Sequence, residues 1–131
     1  MTESEKVGAG GDLDGVLADL RALSGDMSSC AVLAKDGGLL SSSHAPGVDR
    51  ERVAAMLSAV SNLADRAAKG NGKDHAVQVR VDTEKGHLLL VRLEGGALAA
   101  TTGPDARVGL VLYDMRNAKG AVEKAMEGVG S

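Results

Sequence analysis

The chain has 131 residues, 44% hydrophobic and 25% charged, with 15 basic against 18 acidic residues. That length and mix describe one globular domain and exclude a chain disordered throughout. There is no Trp and no Phe, and Tyr113 is the single Tyr, while the net charge is -3. Single-strand nucleic-acid binders need aromatic stacking platforms and duplex binders need a basic footprint; this chain supplies neither. One cysteine, Cys30, cannot form an internal disulfide and fits a reducing compartment. The N-terminal residues lack a signal-peptide core, and no run approaches ~18 apolar residues. A cytoplasmic protein with no membrane insertion is the expectation.

Residues 1–11 read as a flexible tail, because Val7-Gly8-Ala9-Gly10-Gly11 has nothing to bury. A single domain over 12–128 follows. Leu13, Val16, Leu17, Leu20 and Leu23 recur with helical spacing, with Asp12 as N-cap and Gly25 as stop. Cys30 to Ala34 is an apolar strand. Lys35-Asp36-Gly37-Gly38 is a hairpin turn, and Leu39 to Ser42 is the return strand. Ser41 to Gly47 then reads as a loop.

The second helix is capped by Asp49 and runs to about Lys69, where Gly70-Asn71-Gly72 ends it. Val53, Leu57, Val60, Ala64 and Ala68 fall on one side. Met56, Ala59, Leu63 and Ala67 fall on the adjoining side. Together they cover an arc of roughly 180°, wider than a surface helix needs. The helix therefore has a second apolar side that wants a partner beyond its own sheet.

Three strands follow. From Ala76 to Asp82 the chain alternates, with Val77, Val79 and Val81 on one face and Gln78, Arg80 and Asp82 on the other, as in an edge strand. His87 to Leu93 is apolar on both faces, which predicts a central strand covered twice. Ala97 to Thr102 is a small-residue strand suited to a close-packed helix. Val108 to Tyr113 has strand propensity. Pro104-Asp105 and the spacing of Val108, Leu112, Met115, Val122 and Met126 favour a helix to about Glu127 instead. The predicted order is α-β-β-α-β-β-β-α. Tight turns between strands make the sheet antiparallel, and helices on both faces make the class α+β.

The ordered set of these motifs resembles the Roadblock family, the dynein light chain roadblock-type domain, and its bacterial branch above all. The resemblance runs from Leu13 to about Ala125. It rests on the opening helix, on Lys35-Asp36-Gly37-Gly38-Leu39-Leu40, on the long helix after Val48-Asp49, and on Ala97-Leu98-Ala99 leading to Gly103-Pro104-Asp105-Ala106-Arg107-Val108-Gly109-Leu110-Val111. It implies a five-stranded antiparallel sheet of the roadblock/profilin-like type. It implies a homodimer made by the long helix and the third strand, without catalysis or cofactor. It also implies work beside small Ras-like GTPases as a regulator or scaffold.

The residues agree with a dimer on their own account, since an unblocked edge strand pairs readily with its copy. The expected dimer residues are Met56, Ala59, Leu63, Ala67, Val77, Gln78, Val79, Arg80 and Val81. Asn62, Arg66 and Lys69, at the border of the apolar arc, are expected to face the partner. A small-ligand sensor and a purely structural dimerisation module are the competing readings.

The residues point to no catalytic or metal site. Gly70-Asn71-Gly72-Lys73-Asp74 fails as a phosphate loop, with Ala67 and Asp74 where Gly and Ser/Thr are needed. His44, His75 and His87 share no ligand spacing with each other or with Cys30. Cys30, in an apolar strand, reads as a small buried hydrophobe. Arg50, Arg52, Arg66 and Arg107 are the arginines available to stabilise phosphoryl transfer in trans; solvated helix charges are the favoured account of each.

Overall fold

The computed structural model describes residues 9–72 and 76–129. Among the described residues, three helices and five strands follow in the expected order: α1 (Ala9–Leu23), β1 (Met27–Ala34), β2 (Leu39–His44), α2 (Arg50–Gly70), β3 (Gln78–Thr83), β4 (Gly86–Leu93), β5 (Gly96–Thr102) and α3 (Val108–Val129). The strands form one sheet in the order β2-β1-β5-β4-β3, with every neighbouring pair antiparallel. A hairpin gives β1 and β2, α2 crosses to the far edge, and β3-β4-β5 meanders back until β5 pairs with β1.

Local chemistry sets most of the boundaries. Asp49 caps α2 by accepting from the Arg52 amide at 3.2 Å. In the β1–β2 turn the Asp36 carboxylate accepts from the Gly38 amide at 2.8 Å, and Gly37 adopts φ +90°, a left-handed value suited to glycine. Gly96 is required for a different reason. A Cβ there would stand 1.9 Å from the Leu33 carbonyl oxygen, so a side chain would force β5 off β1.

Four expectations change. Helix α1 begins at Ala9, so Ala9 to Gly11 of the expected tail are helical and Asp12 lies in the first turn instead of at the cap; residues 1–8 lie outside the described residues. Strand β2, expected to end at Ser42, continues through Ser43 to His44. Helix α1 holds this serine run from the side, with Ser41 donating to Asp14 and Arg21 donating to Ser43 at 3.0 Å. The middle strand is β5, not β4, which stands one place in from the edge and is still covered on both faces. Helix α3 begins at Val108, after a turn in which Arg107 is tied to Asp26 through its amide and its Nε, each at 3.0 Å.

Alternation along the strands divides the core in two. Cys30, Val32, Leu89, Val91 and Leu98 point to α1 and α3 and pack with Leu13, Leu17, Val111 and Met115. Ala31, Leu33, Leu90, Ala97 and Ala99 point to α2, where Leu57 meets them. Three of those five are alanines, which bring α2 close to the sheet and leave little side-chain volume between.

Candidate functional site

Helix α2 buries only Leu57 and Ser61 fully. Val53, Val60, Ala64 and Ala68 are half-buried on the same side. Met56, Ala59, Leu63 and Ala67 stand in solvent, with Met56 38% and Leu63 64% exposed. These are the four helix residues assigned to the second apolar side.

The floor beside them is the outer part of the same sheet face. Val79 pairs with Leu90, and Val81 with Leu88, so both valines share a face with the α2 core. Val79, Val81 and Leu88 are half-buried. Met56 and Leu88 border a depression of about 240 Å³ that reaches the β3–β4 turn at Thr83 and Gly86. One apolar shelf therefore runs from the outer side of α2 across Leu88 to the β3 edge. Leaving it in water forfeits about 1.5–3 kcal/mol for each large side chain that a partner would bury.

Among the described residues β3 pairs with β4 alone, so the edge itself is open. Gln78, Arg80 and Asp82 face away from α2. Gln78 accepts from the Arg116 guanidinium at 3.1 Å, and Arg80 donates to Asp82 at 2.9 Å. His87 joins Asp82 through Nδ1 at 2.6 Å. Hydrogen bonds from Arg80 first, then from His87, hold the Asp82 carboxyl below its usual range. With their side chains so engaged, Gln78 and Arg80 offer a partner mainly backbone. Val77 precedes the strand and is 77% exposed.

Asn62, Arg66 and Lys69 are exposed. The Asn62 amide lies against the β1–β2 turn, 2.8 Å from where a Gly37 Cβ would stand, and next to it Ser58 donates to the Gly37 carbonyl at 2.5 Å. Arg66 and Lys69 form no ion pair among the described residues. Of the arginines considered for phosphoryl transfer, Arg107 is engaged by Asp26.

The shelf rests on a pair the sequence reading missed. Arg92, on the α2 face of β4, contacts Asp65 of α2 at 2.5 Å and donates to the carbonyls of Ala76 and Gly96 at 3.1 and 3.0 Å. Both side chains are about 15% exposed. Arg92 thus ties α2, the approach to β3 and the β4–β5 turn together. The signal was one Arg inside an otherwise apolar strand, facing the polar side of a helix.

Cys30 is fully buried, its thiol donates to the Leu17 carbonyl at 3.4 Å, and burial pushes its pKa up to about 12. A thiol held protonated this way is a packing residue. Among the described residues, no three His, Cys, Asp or Glu side chains come together as metal ligands; His75 lies outside them. No described helix is long and apolar enough to cross a membrane.

Comparison with known proteins places this geometry. Residues 13–102 match the Roadblock/LC7 domain model. A protein of Methanocaldococcus jannaschii, MJ0310, is 33% identical over 114 residues, which are 87% of this chain and 98% of that one. MglB of Myxococcus xanthus superimposes with a TM-score of 0.76 at 19% identity, over 97% of this chain and 93% of MglB. A Roadblock/LC7 domain from Streptomyces avermitilis superimposes with a TM-score of 0.64 at 26% identity, over 82% of this chain and 95% of that domain.

Proposed function

The chain belongs to the Roadblock/LC7 family, and from that premise we propose that it is a non-enzymatic homodimeric regulator or scaffold of a small Ras-like GTPase. The observation that carries the reading is the uncovered apolar shelf. Met56, Ala59, Leu63 and Ala67 on α2 adjoin Val79, Val81 and Leu88 on the sheet, and the shelf ends at an open strand edge. A second copy related by a two-fold axis supplies what each part lacks: an antiparallel strand for β3 and an apolar helix face for α2. The sheet would then continue from one protomer into the next.

The GTPase enters through the family resemblance. Joining two copies along α2 and β3 would present Arg66 and Lys69 of both at the border of the joined helices, a cationic surface for a partner's acidic side chains. The chain carries no phosphate loop of its own, so it would act on a GTPase by positioning the partner's loops or by holding the partner in place. A cytoplasmic location fits that role.

Affinity capture from native extract with the wild type and with Arg66→Glu tests the reading. Mass spectrometry should find a small GTPase with the wild type and lose it with the variant. A turnover assay on that GTPase then separates a regulator from a scaffold. Recovery of no GTPase with either protein would overturn the reading in favour of a structural dimerisation module.

A further inference from the structure

The sheet has two edges, and they differ. The β3 edge borders the uncovered shelf and suits a second copy with helices of its own. The β2 edge has the sequence Leu39-Leu40-Ser41-Ser42-Ser43-His44. It contains no Pro, Lys, Arg, Asp or Glu, the residues that usually blunt an edge against pairing. Both of its flanks are taken. Asp14 and Arg21 of α1 hold Ser41 and Ser43 on one side, and the first turns of α2 border the other. What remains is a slot suited to one extended chain.

A groove accompanies that slot. Two depressions of about 330 and 400 Å³ share Ser42 and Arg50 and together run from Leu39 to His44 on the α2 side of β2. An open strand beside a helix-walled groove is the geometry of strand addition. There, main-chain hydrogen bonds supply affinity and alternate side chains enter the groove.

Charge selects the added chain. Arg50 lines both depressions. Neither Arg50 nor Arg21 has a carboxylate partner among the described residues. Their positive field converges on His44, whose pKa is lowered by burial first, then by Arg50 and Arg21. Its ring lies against the Ser29 hydroxyl through Nδ1, and Nε2 has no partner among the described residues. Glu51 stands at the Leu39 end, so the groove is positive toward His44. We propose that the β2 edge and its groove bind an extended acidic segment of a partner protein, which pairs with residues 39–44 and sets a carboxylate on Arg50.

The test uses the full chain, labelled with nitrogen-15, and a short peptide alternating valine and glutamate. The amide resonances of residues 39–44 should shift on titration. A lysine-for-glutamate peptide, and a peptide N-methylated at alternate residues, should leave them unmoved. Arg50→Glu should weaken the acidic peptide about tenfold. That variant places an acid in the first turn of α2, where the helix dipole favours it, and so keeps the fold. Shifts confined to residues 78–83, equal binding of the lysine peptide, or full binding by Arg50→Glu would each overturn the proposal. The same titration on Leu63→Glu separates this site from self-association, because binding at β2 should survive the loss of a dimer.

Discussion

The two faces of the sheet are built differently. Toward α1 and α3, sixteen buried residues form one thick core that includes Leu13, Leu17, Leu98 and Met115. Toward α2, six residues are buried, and three of them are alanines. The first face is complete in one chain. The second is half-finished: α2 covers the alanine strands and leaves Val79, Val81 and Leu88 beside it only partly covered. A domain can fold on one good core and leave the other face incompletely covered, and the contrast between the faces is what the proposed self-association rests on.

The sharpest way to test the contrast is to damage the thick face. Leu17 is fully buried there, so Leu17→Ala should cost about 3 kcal/mol by denaturant unfolding. The loss should be the same at every protein concentration. A loss that vanished at high concentration would mean that this face, too, depends on association.

On the thin face the expected weak point is polar. Asp65→Ala leaves the Arg92 guanidinium largely buried without its carboxylate. The expected cost is about 2–3 kcal/mol, somewhat below that for a fully buried pair. Exchanging both partners, as in Asp65→Leu with Arg92→Met, should recover most of it. A neutral Asp65→Ala would show that α2 is held by its apolar contacts alone.

Leu63→Glu separates the interface from the fold. Leu63 is 64% exposed, so the monomer should change by no more than about 0.5 kcal/mol. The wild type should melt higher as its concentration rises, since association stabilises the folded form by mass action. In the variant that dependence should disappear. A variant that melts like the wild type at every concentration would move the interface elsewhere.

The smallest effect is a pH slope. His44 has its pKa lowered by burial, then by Arg50 and Arg21. The unfolded chain therefore takes up this proton before the folded one does. The stabilisation is present above the unfolded value of about 6.5 and is lost as pH falls through the folded value. The melting temperature should be lower at mildly acidic than at neutral pH, and His44→Gln should flatten that slope. An unchanged slope would assign it to other groups.

The sequence was most legible where the signals were local and periodic. The spacing of Val53, Leu57 and Val60 gave α2, and the surplus of Met56, Ala59, Leu63 and Ala67 showed that this helix has more apolar side than its sheet uses. The turn at Asp36-Gly37 and the alternation of Val79 and Val81 gave the hairpin and the half-covered strand. Features made by long-range partners were not legible. The end of β2 at Ser43 and His44 read as loop, and their side chains are engaged by Arg21 of α1 and Ser29 of β1. The place of β5 at the centre follows from its long-range pairing with β1. Arg92 and Asp65 each read as unremarkable until the fold brought them together. The groove beside β2 joins a strand and a helix turn, and no spacing within either one reports it.

Sedimentation equilibrium of the wild type and Leu63→Glu at micromolar concentration tests the central claim most directly. The account predicts a wild-type dimer and a folded monomeric variant with an unchanged far-ultraviolet circular dichroism spectrum. A wild-type monomer, or a variant that stays dimeric, would contradict the assignment of the α2 and β3 surface to self-association.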